Sequence, residues 1–261
     1  GGEGGGGESE DPSSGLKPGA DTYGAVIDAW ARSEPPPEGD AAAGGGEGDA
    51  DDDKAARARS VLDALIEKHT SGEENMKPTA IHYTSVLNAA AHCPPVSIRG
   101  TAKTWERDDD GNETTPYAVA LRTYDELRDD PKGYDLKPDS MSYSTMLEAV
   151  SKHLPRDHPD RPVKVREIFD DAKTAGFVDV SVVTRLRRAA PRDVADRMLL
   201  EGIEGKEVKM PLKSIDALNE GWTRNVPRGD KRLRMIPSDD EGDGGGRGGG
   251  RGRGRGRGGR G

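Results

Sequence analysis

An all-α solenoid of stacked helix pairs is the fold the sequence predicts, and three observations predict it. Tyr23, Tyr83 and Tyr143 recur at an even interval, each five residues after a proline, Pro18, Pro78 and Pro138. After each tyrosine, "YGAVIDAW", "YTSVLNAA" and "YSTMLEAV" place apolar residues at the third, fourth and seventh positions, which is one face of a helix. A second amphipathic segment follows in every copy, so the repeated unit is a helix pair that needs its neighbours to bury a continuous core.

The first helices present Val26, Ile27 and Trp30; Val86, Leu87 and Ala90; and Met146, Leu147 and Val150. The second helices are read over 55–69, 118–130 and 163–176, with Ala58, Leu62, Leu65; Ala120, Tyr124, Leu127; and Val165, Phe169, Ala172 on one face. A Lys-Pro dipeptide, Lys17-Pro18, Lys77-Pro78 or Lys137-Pro138, separates each pair from the one before it, because the residue before proline is biased out of helix. A fourth copy is read in "VDVSVVTRLRRAA" and a degenerate "RDVADRMLLEGI", parted by Pro191. Residues 206–226 hold no further copy and are expected to cap the stack.

The repeat is longer than a tight helical hairpin requires, and the excess is acidic and Gly-rich. Segments 1–15, 34–53, 106–113 and the tail after Ser238 account for much of the 36 Gly and 48 acidic residues. Such segments bury too little apolar surface to offset chain entropy, which predicts disorder. Removing them returns each unit towards the ~34 residues common in helix-pair repeats. Without them the formal charge of −9 turns into a small positive balance, so overall acidity does not argue against nucleic acid as a partner. The resulting division is an acidic segment 1–15, repeat one 16–78 with insert 34–53, repeat two 79–138 with insert 94–115, repeat three 139–177, partial repeat and cap 178–226, and tail 227–261.

Catalysis is not expected, nor a cofactor, a metal or a small-molecule substrate. His69, His82, His92, His153 and His158 are scattered, and His92-Cys93 is too sparse a pair for a metal site. Cys93 is the single cysteine, which excludes a disulfide framework and the paired cysteines of a zinc deaminase. The Gly-rich runs lack the Gly-Lys-Ser/Thr ending of a phosphate loop. No apolar run approaches the ~18–20 residues of a membrane span, so no membrane partner is expected. The opening Gly-Gly in place of Met reads as a fragment lacking its true start.

The Lys-Pro-x junctions with Tyr23, Tyr83 and Tyr143, together with "LRTYDELRDD" and "VREIFDDAKTAG", resemble the pentatricopeptide repeat family over roughly residues 16–190. The ending "EGWTRNV" also resembles C-terminal segments of algal and diatom members. The resemblance implies a right-handed superhelix that binds single-stranded RNA, acting in organellar RNA processing, stability or translation, in mitochondrion or chloroplast, with other RNA-processing proteins as further partners. It implies that the residue after each tyrosine and the last residue of the repeat meet the base edge, while the residue two before the tyrosine packs between bases. Copy one then offers Gly24 and Thr79 with Asp21 at the packing position, copy two Thr84 and Asp139 with Ile81, and copy three Ser144 and Asp179 with Met141. The Thr84 and Asp139 pairing is one that family rules associate with guanine. The tyrosines read as structural, packing one helix on the next.

The closing "GRGGGRGRGRGRGGRG" sets Arg247, Arg251, Arg253, Arg255, Arg257 and Arg260 among glycines, cations on a flexible backbone suited to sequence-tolerant attraction to phosphates and bases. The rival reading is a scaffold resembling tetratricopeptide repeats that binds protein. Lys-Pro-x junctions favour RNA, and apolar pockets along the inner wall would favour a peptide.

Overall fold

The computed structural model describes residues 18–33, 53–93, 115–201, 203, 211–229 and 234–237. The 1–15 segment, most of both inserts and the Arg-Gly tail lie outside these residues. Eight α-helices follow in order: α1 (Ala20–Arg32), α2 (Asp53–Thr70), α3 (Ala80–Ala91), α4 (Pro116–Asp129), α5 (Ser140–His153), α6 (Asp160–Ala175), α7 (Val180–Ala189) and α8 (Arg192–Leu200). No strand occurs among the described residues, and the one β-type contact is an isolated antiparallel bridge between Ser214 and Met235. The described residues are therefore all-helical, held by helix-on-helix packing.

Each helix begins and ends where local chemistry requires. Thr115 Oγ1 accepts from the Ala118 amide at 3.1 Å, and Pro116, which has no amide proton to leave unpaired, takes the first helical position of α4. Asp139 and Asp179 accept from the amides of Ser142 and Val182, each at 2.9 Å, and so start α5 and α7. Gly176, at φ 78°, closes α6 in the left-handed conformation that a side chain would strain. Between α4 and α5 the Asp130 carboxylate gathers the amides of Tyr134, Asp135 and Leu136, which folds "DPKGYDL" back towards the next Lys-Pro.

The odd-numbered helices pack in succession, α1 on α3, α3 on α5 and α5 on α7, and each also packs on the helix that follows it. They run parallel, start beside start: His82 Nε2 lies 3.0 Å from the Ala20 carbonyl, and at the other end His153 Nε2 lies 2.9 Å from the Ala90 carbonyl. The interior is apolar, with Ile27, Leu62, Leu65, Leu87, Leu127, Met146, Leu147 and Phe169 shut off from solvent. Tyr83, Tyr124 and Tyr143 are buried with them, and the Tyr124 hydroxyl donates to Asp171 at 3.0 Å.

A second system of contacts runs along the even-numbered helices. Arg59 on α2 donates to both carboxylate oxygens of Glu126 on α4 at 2.9 Å, Arg128 on α4 to Glu167 on α6, also at 2.9 Å, and Arg166 on α6 to Glu201 after α8 at 3.1 Å. Burial alone would pull the Arg59 guanidinium down, but its bonds to Asp63 and Glu126 outweigh this and hold it above its ordinary value. Its Nε, Nη1 and Nη2 serve Asp63, Thr123 and Glu126 at once, a spread of donors that suits Arg rather than Lys at that rung.

Two expectations are corrected. Val26 is 42% exposed and Trp30 only half-buried, because α1 packs chiefly on α2 and α3 among the described residues. The cap also extends past residue 226: the Ile236 amide donates to the Lys213 carbonyl at 2.8 Å and the Ile236 side chain is buried, an apolar residue that the tail assignment passed over. Trp222 seats edge-on against Phe169, and the amides of Val178 and Asn225 bond to Trp222 and Gly176 carbonyls, which docks the cap on the end of α6.

Leu147→Ala is expected to lower stability by about 2–5 kcal/mol in urea unfolding, while Ile81→Ala, at a site 75% exposed, stays within about 0.5 kcal/mol. Burial pushes the Tyr83, Tyr124 and Tyr143 phenols up from 10.0, Tyr143 to about 12. The folded chain therefore keeps protons that the unfolded chain loses above pH ~10. Stability is intact below that pH and falls as pH rises from 10 towards 12, and Tyr143→Phe should flatten that fall by up to about 1.4 kcal/mol per pH unit.

Candidate nucleic-acid interface

The three residues expected last in their repeats occupy one structural position. Thr79, Asp139 and Asp179 each stand immediately before α3, α5 and α7 and take the helix-capping position. Because these helices run parallel, their amino-terminal ends form a row along one edge. Two residues further on, Ile81 and Met141 stand out from that edge, 75% and 59% exposed. Asp21 is exposed at the same place on α1, as is Ser181 on α7. Lys77 and Lys137, both exposed, precede the row, and Lys137 Nζ lies 2.9 Å from Asp135.

Copy two is brought together. Thr84 Oγ1 lies 2.8 Å from Ser142 Oγ, and Ser142 Oγ donates to Asp139 Oδ1 at 2.9 Å while accepting from the Asp139 amide at 3.3 Å. With its proton committed to Asp139, Ser142 accepts from Thr84, so the Thr84 hydroxyl is the donor in that contact. Among the described residues, then, Thr84 Oγ1 receives no protein donor and Asp139 keeps Oδ2 without a protein bond. The edge at this point is a pair of acceptors.

Copy one is organised by an imidazole in the place of Ser142. His82 Nδ1 receives the Thr79 amide at 3.1 Å and the Thr79 hydroxyl at 2.8 Å, and its Nε2 faces the Ala20 carbonyl. The neutral tautomer protonated at Nε2 satisfies all three. A Cβ placed on Gly24 would sit 3.2 Å from His82 Nε2, so the ring fills the space that a side chain at 24 would use. Gly24 and Thr79 therefore flank His82 and do not meet each other.

Copy three is not joined. Ser144 is only 4% exposed, and its hydroxyl donates back to the Met141 carbonyl at 3.0 Å. Asp179 accepts from Val182 N and, at 2.6 Å, from Ser181 Oγ, because position 182 is a valine and offers no hydroxyl to link the two. Arg247, Arg251, Arg253, Arg255, Arg257 and Arg260 lie outside the described residues.

Sequence reasoning passed over Ser142 and His82, the residues just before the tyrosines. Their signal is the capping pattern itself, a polar residue three after Thr79 or Asp139 that can reach back to the cap amide. It also passed over Thr184, which falls after Val183 as Ser144 falls after Tyr143. The Thr184 hydroxyl donates to the Val180 carbonyl at 2.7 Å.

Among the described residues no group of His, Cys, Asp and Glu is placed to hold a metal ion, and no helix is long and apolar enough to cross a membrane. Comparison with protein-family models, with curated proteins and with solved structures found no match.

If Thr84 and Ser142 act as one linked pair, Thr84→Val and Ser142→Ala are each expected to cost about 0.5–1.5 kcal/mol, and the double variant less than the two together. A urea-unfolding cycle that returns strict additivity would separate them.

Proposed function

We propose that this protein is a right-handed superhelical solenoid that binds single-stranded RNA along the amino-terminal edge of α3, α5 and α7, in the manner of pentatricopeptide repeats, one nucleotide per helix pair. The observation that carries the reading is the Thr84, Ser142 and Asp139 chain, set between two large apolar side chains, Ile81 and Met141, that stand in solvent at the same position of adjacent helices. Apolar side chains held out in this way offer surfaces against which bases can stack. The acceptor pair between them matches a base edge rich in donors, and guanine, with its ring N–H and exocyclic amine side by side, supplies one. The parallel, neighbour-only packing supports a solenoid in which this edge is continuous.

Copy two is then the selective slot. Copy one, plugged by His82, and copy three, with Ser144 folded back on its own helix, contribute stacking and phosphate contact more than discrimination. The Arg-Gly tail adds attraction that does not depend on sequence. The role that follows is organellar RNA processing, stabilisation or translation, without catalysis by this chain.

Selection of the full chain on a randomised RNA pool tests this. The wild type should enrich a preferred base, guanine, at one position. Thr84→Asn with Asp139→Asn, which retains a good helix cap, should change the base preferred there and leave flanking positions unchanged. Ile81→Asp with Met141→Asp should weaken binding about tenfold or more. Enrichment of nothing, or an identical preference in the Thr84/Asp139 variant, would overturn the reading and turn attention to protein ligands of the same edge.

A further inference from the structure

The opposite end of the stack carries a feature that the base-reading edge does not use. Where α5 ends, α6 begins, α7 ends and α8 begins, a cavity of about 500 Å³ is lined by Ser151, Arg156, Arg161, Arg187, Arg188 and Arg192, with Ala189, Ala190 and Pro191. Five arginines face one space, and among the described residues no carboxylate lines it. Among the described residues several other arginines are neutralised, Arg59 by Asp63 and Glu126, Arg128 by Glu167, Arg185 by Glu148 and Arg197 by Asp193.

The five arginines do not share one structural purpose. Arg161, buried to 6% exposure, donates to the carbonyls of Leu154, Ala189 and Arg188 and so ties off the carboxyl-terminal ends of α5 and α7. That accounts for Arg161 alone. Arg187 spends one bond on the Leu212 carbonyl at 3.3 Å, and its Nε is buried with no acceptor. Arg156, Arg188 and Arg192 are exposed at the mouth and pair with no acid in the described structure. Burial first, and then the like charge of Arg156, pull the Arg161 guanidinium below its ordinary value, a repulsion that an anion would relieve.

We propose that this cavity is a polyphosphate site, taking a chain of phosphate groups such as that of a nucleoside triphosphate or of a 5′-triphosphorylated RNA end. Guanidinium forks match phosphate oxygens bidentately, and Arg156, Arg188 and Arg192 stand exposed with no acid to neutralise them among the described residues. Several arginines without a carboxylate call for more negative charge than a single phosphodiester carries, and the volume lies in the range of small-ligand pockets. The site stands at the far end of α7 from Asp179, a 10-residue helix of about 15 Å, and does not depend on the base-reading edge.

Calorimetric titration of the full chain with inorganic tripolyphosphate, at low salt and without RNA, tests the site. The exposed triple variant Arg156→Gln/Arg188→Gln/Arg192→Gln, which leaves the helix-tying Arg161 in place, should bind at least tenfold more weakly than wild type. Arg32→Gln/Arg166→Gln/Arg197→Gln removes the same charge from paired positions elsewhere and should stay within twofold. ATP and a 5′-triphosphorylated oligonucleotide measured against its 5′-hydroxyl form then separate the two sources, the preferred one showing the larger loss in the first variant. Equal losses in both triple variants would assign the attraction to overall charge and the Arg-rich tail and overturn the proposal, as would absence of tripolyphosphate binding to the wild type.

Discussion

Helix α3 is apolar around more of its circumference than one partner can cover. His82, Tyr83, Val86, Leu87 and Ala89, Ala90 and Ala91 are all buried along a 12-residue helix, and this is possible only because α1, α2, α4 and α5 surround it. Helix α5 is in the same position, with Tyr143, Met146, Leu147, Ala149 and Val150 inside. A single helix pair of this chain would leave one such face wet, which burial at roughly 25 cal/mol per Å² makes costly. Stacking is thus the condition under which any pair is stable. At the margins the requirement relaxes: α1 buries only Ile27 and Ala31.

The same condition creates the candidate site. Parallel stacking puts helix starts next to one another, and helix starts are where amide protons need acceptors. Asp139 and Asp179 answer that need with their carboxylates, and the starts of α3 and α5 are tied to the preceding odd-numbered helix, by His82 to Ala20 and by Ser142 to Thr84. Groups that read as recognition elements are therefore also the bolts between neighbours. This dual use explains why the copies differ in what they present: a serine at 142 leaves room for the Thr84 hydroxyl, an imidazole at 82 does not leave room beyond a glycine at 24, and a valine at 182 makes no link.

The helix pairs were legible because their signal is local. Apolar spacing after Tyr83 and Tyr143 and along Leu62, Leu65, Tyr124 and Leu127 follows the helical period, and these residues are buried. The capping positions were legible through Pro78 and Pro138, which mark where the helices can begin. Less local facts were out of reach. That Val26 is exposed and that Ile236 returns to Lys213 across more than twenty residues depend on which neighbour is present. The rungs from Arg59 to Glu126 and Arg128 to Glu167 show no sequence pattern, because their members come from different helices, and the arginine cavity joins the close-set Arg187, Arg188 and Arg192 to Arg156 and Arg161 from an earlier part of the chain.

Parallel helices have one further consequence, for how charge is distributed along the molecule. Arg32 to Asp53 and Ala91 to Pro116 bracket the two longest connections, so both insertions are rooted at the same rim as the turns that border the arginine cavity. The connection over 34–52 contains seven acidic residues and no basic ones. That rim carries the clustered guanidinium groups, while the opposite rim carries the caps and their acceptors. A uniform charge would describe none of this. The formal −9 of the whole chain therefore says little about what a polyanion meets at the arginine cavity, which five guanidinium groups and, among the described residues, no carboxylate line.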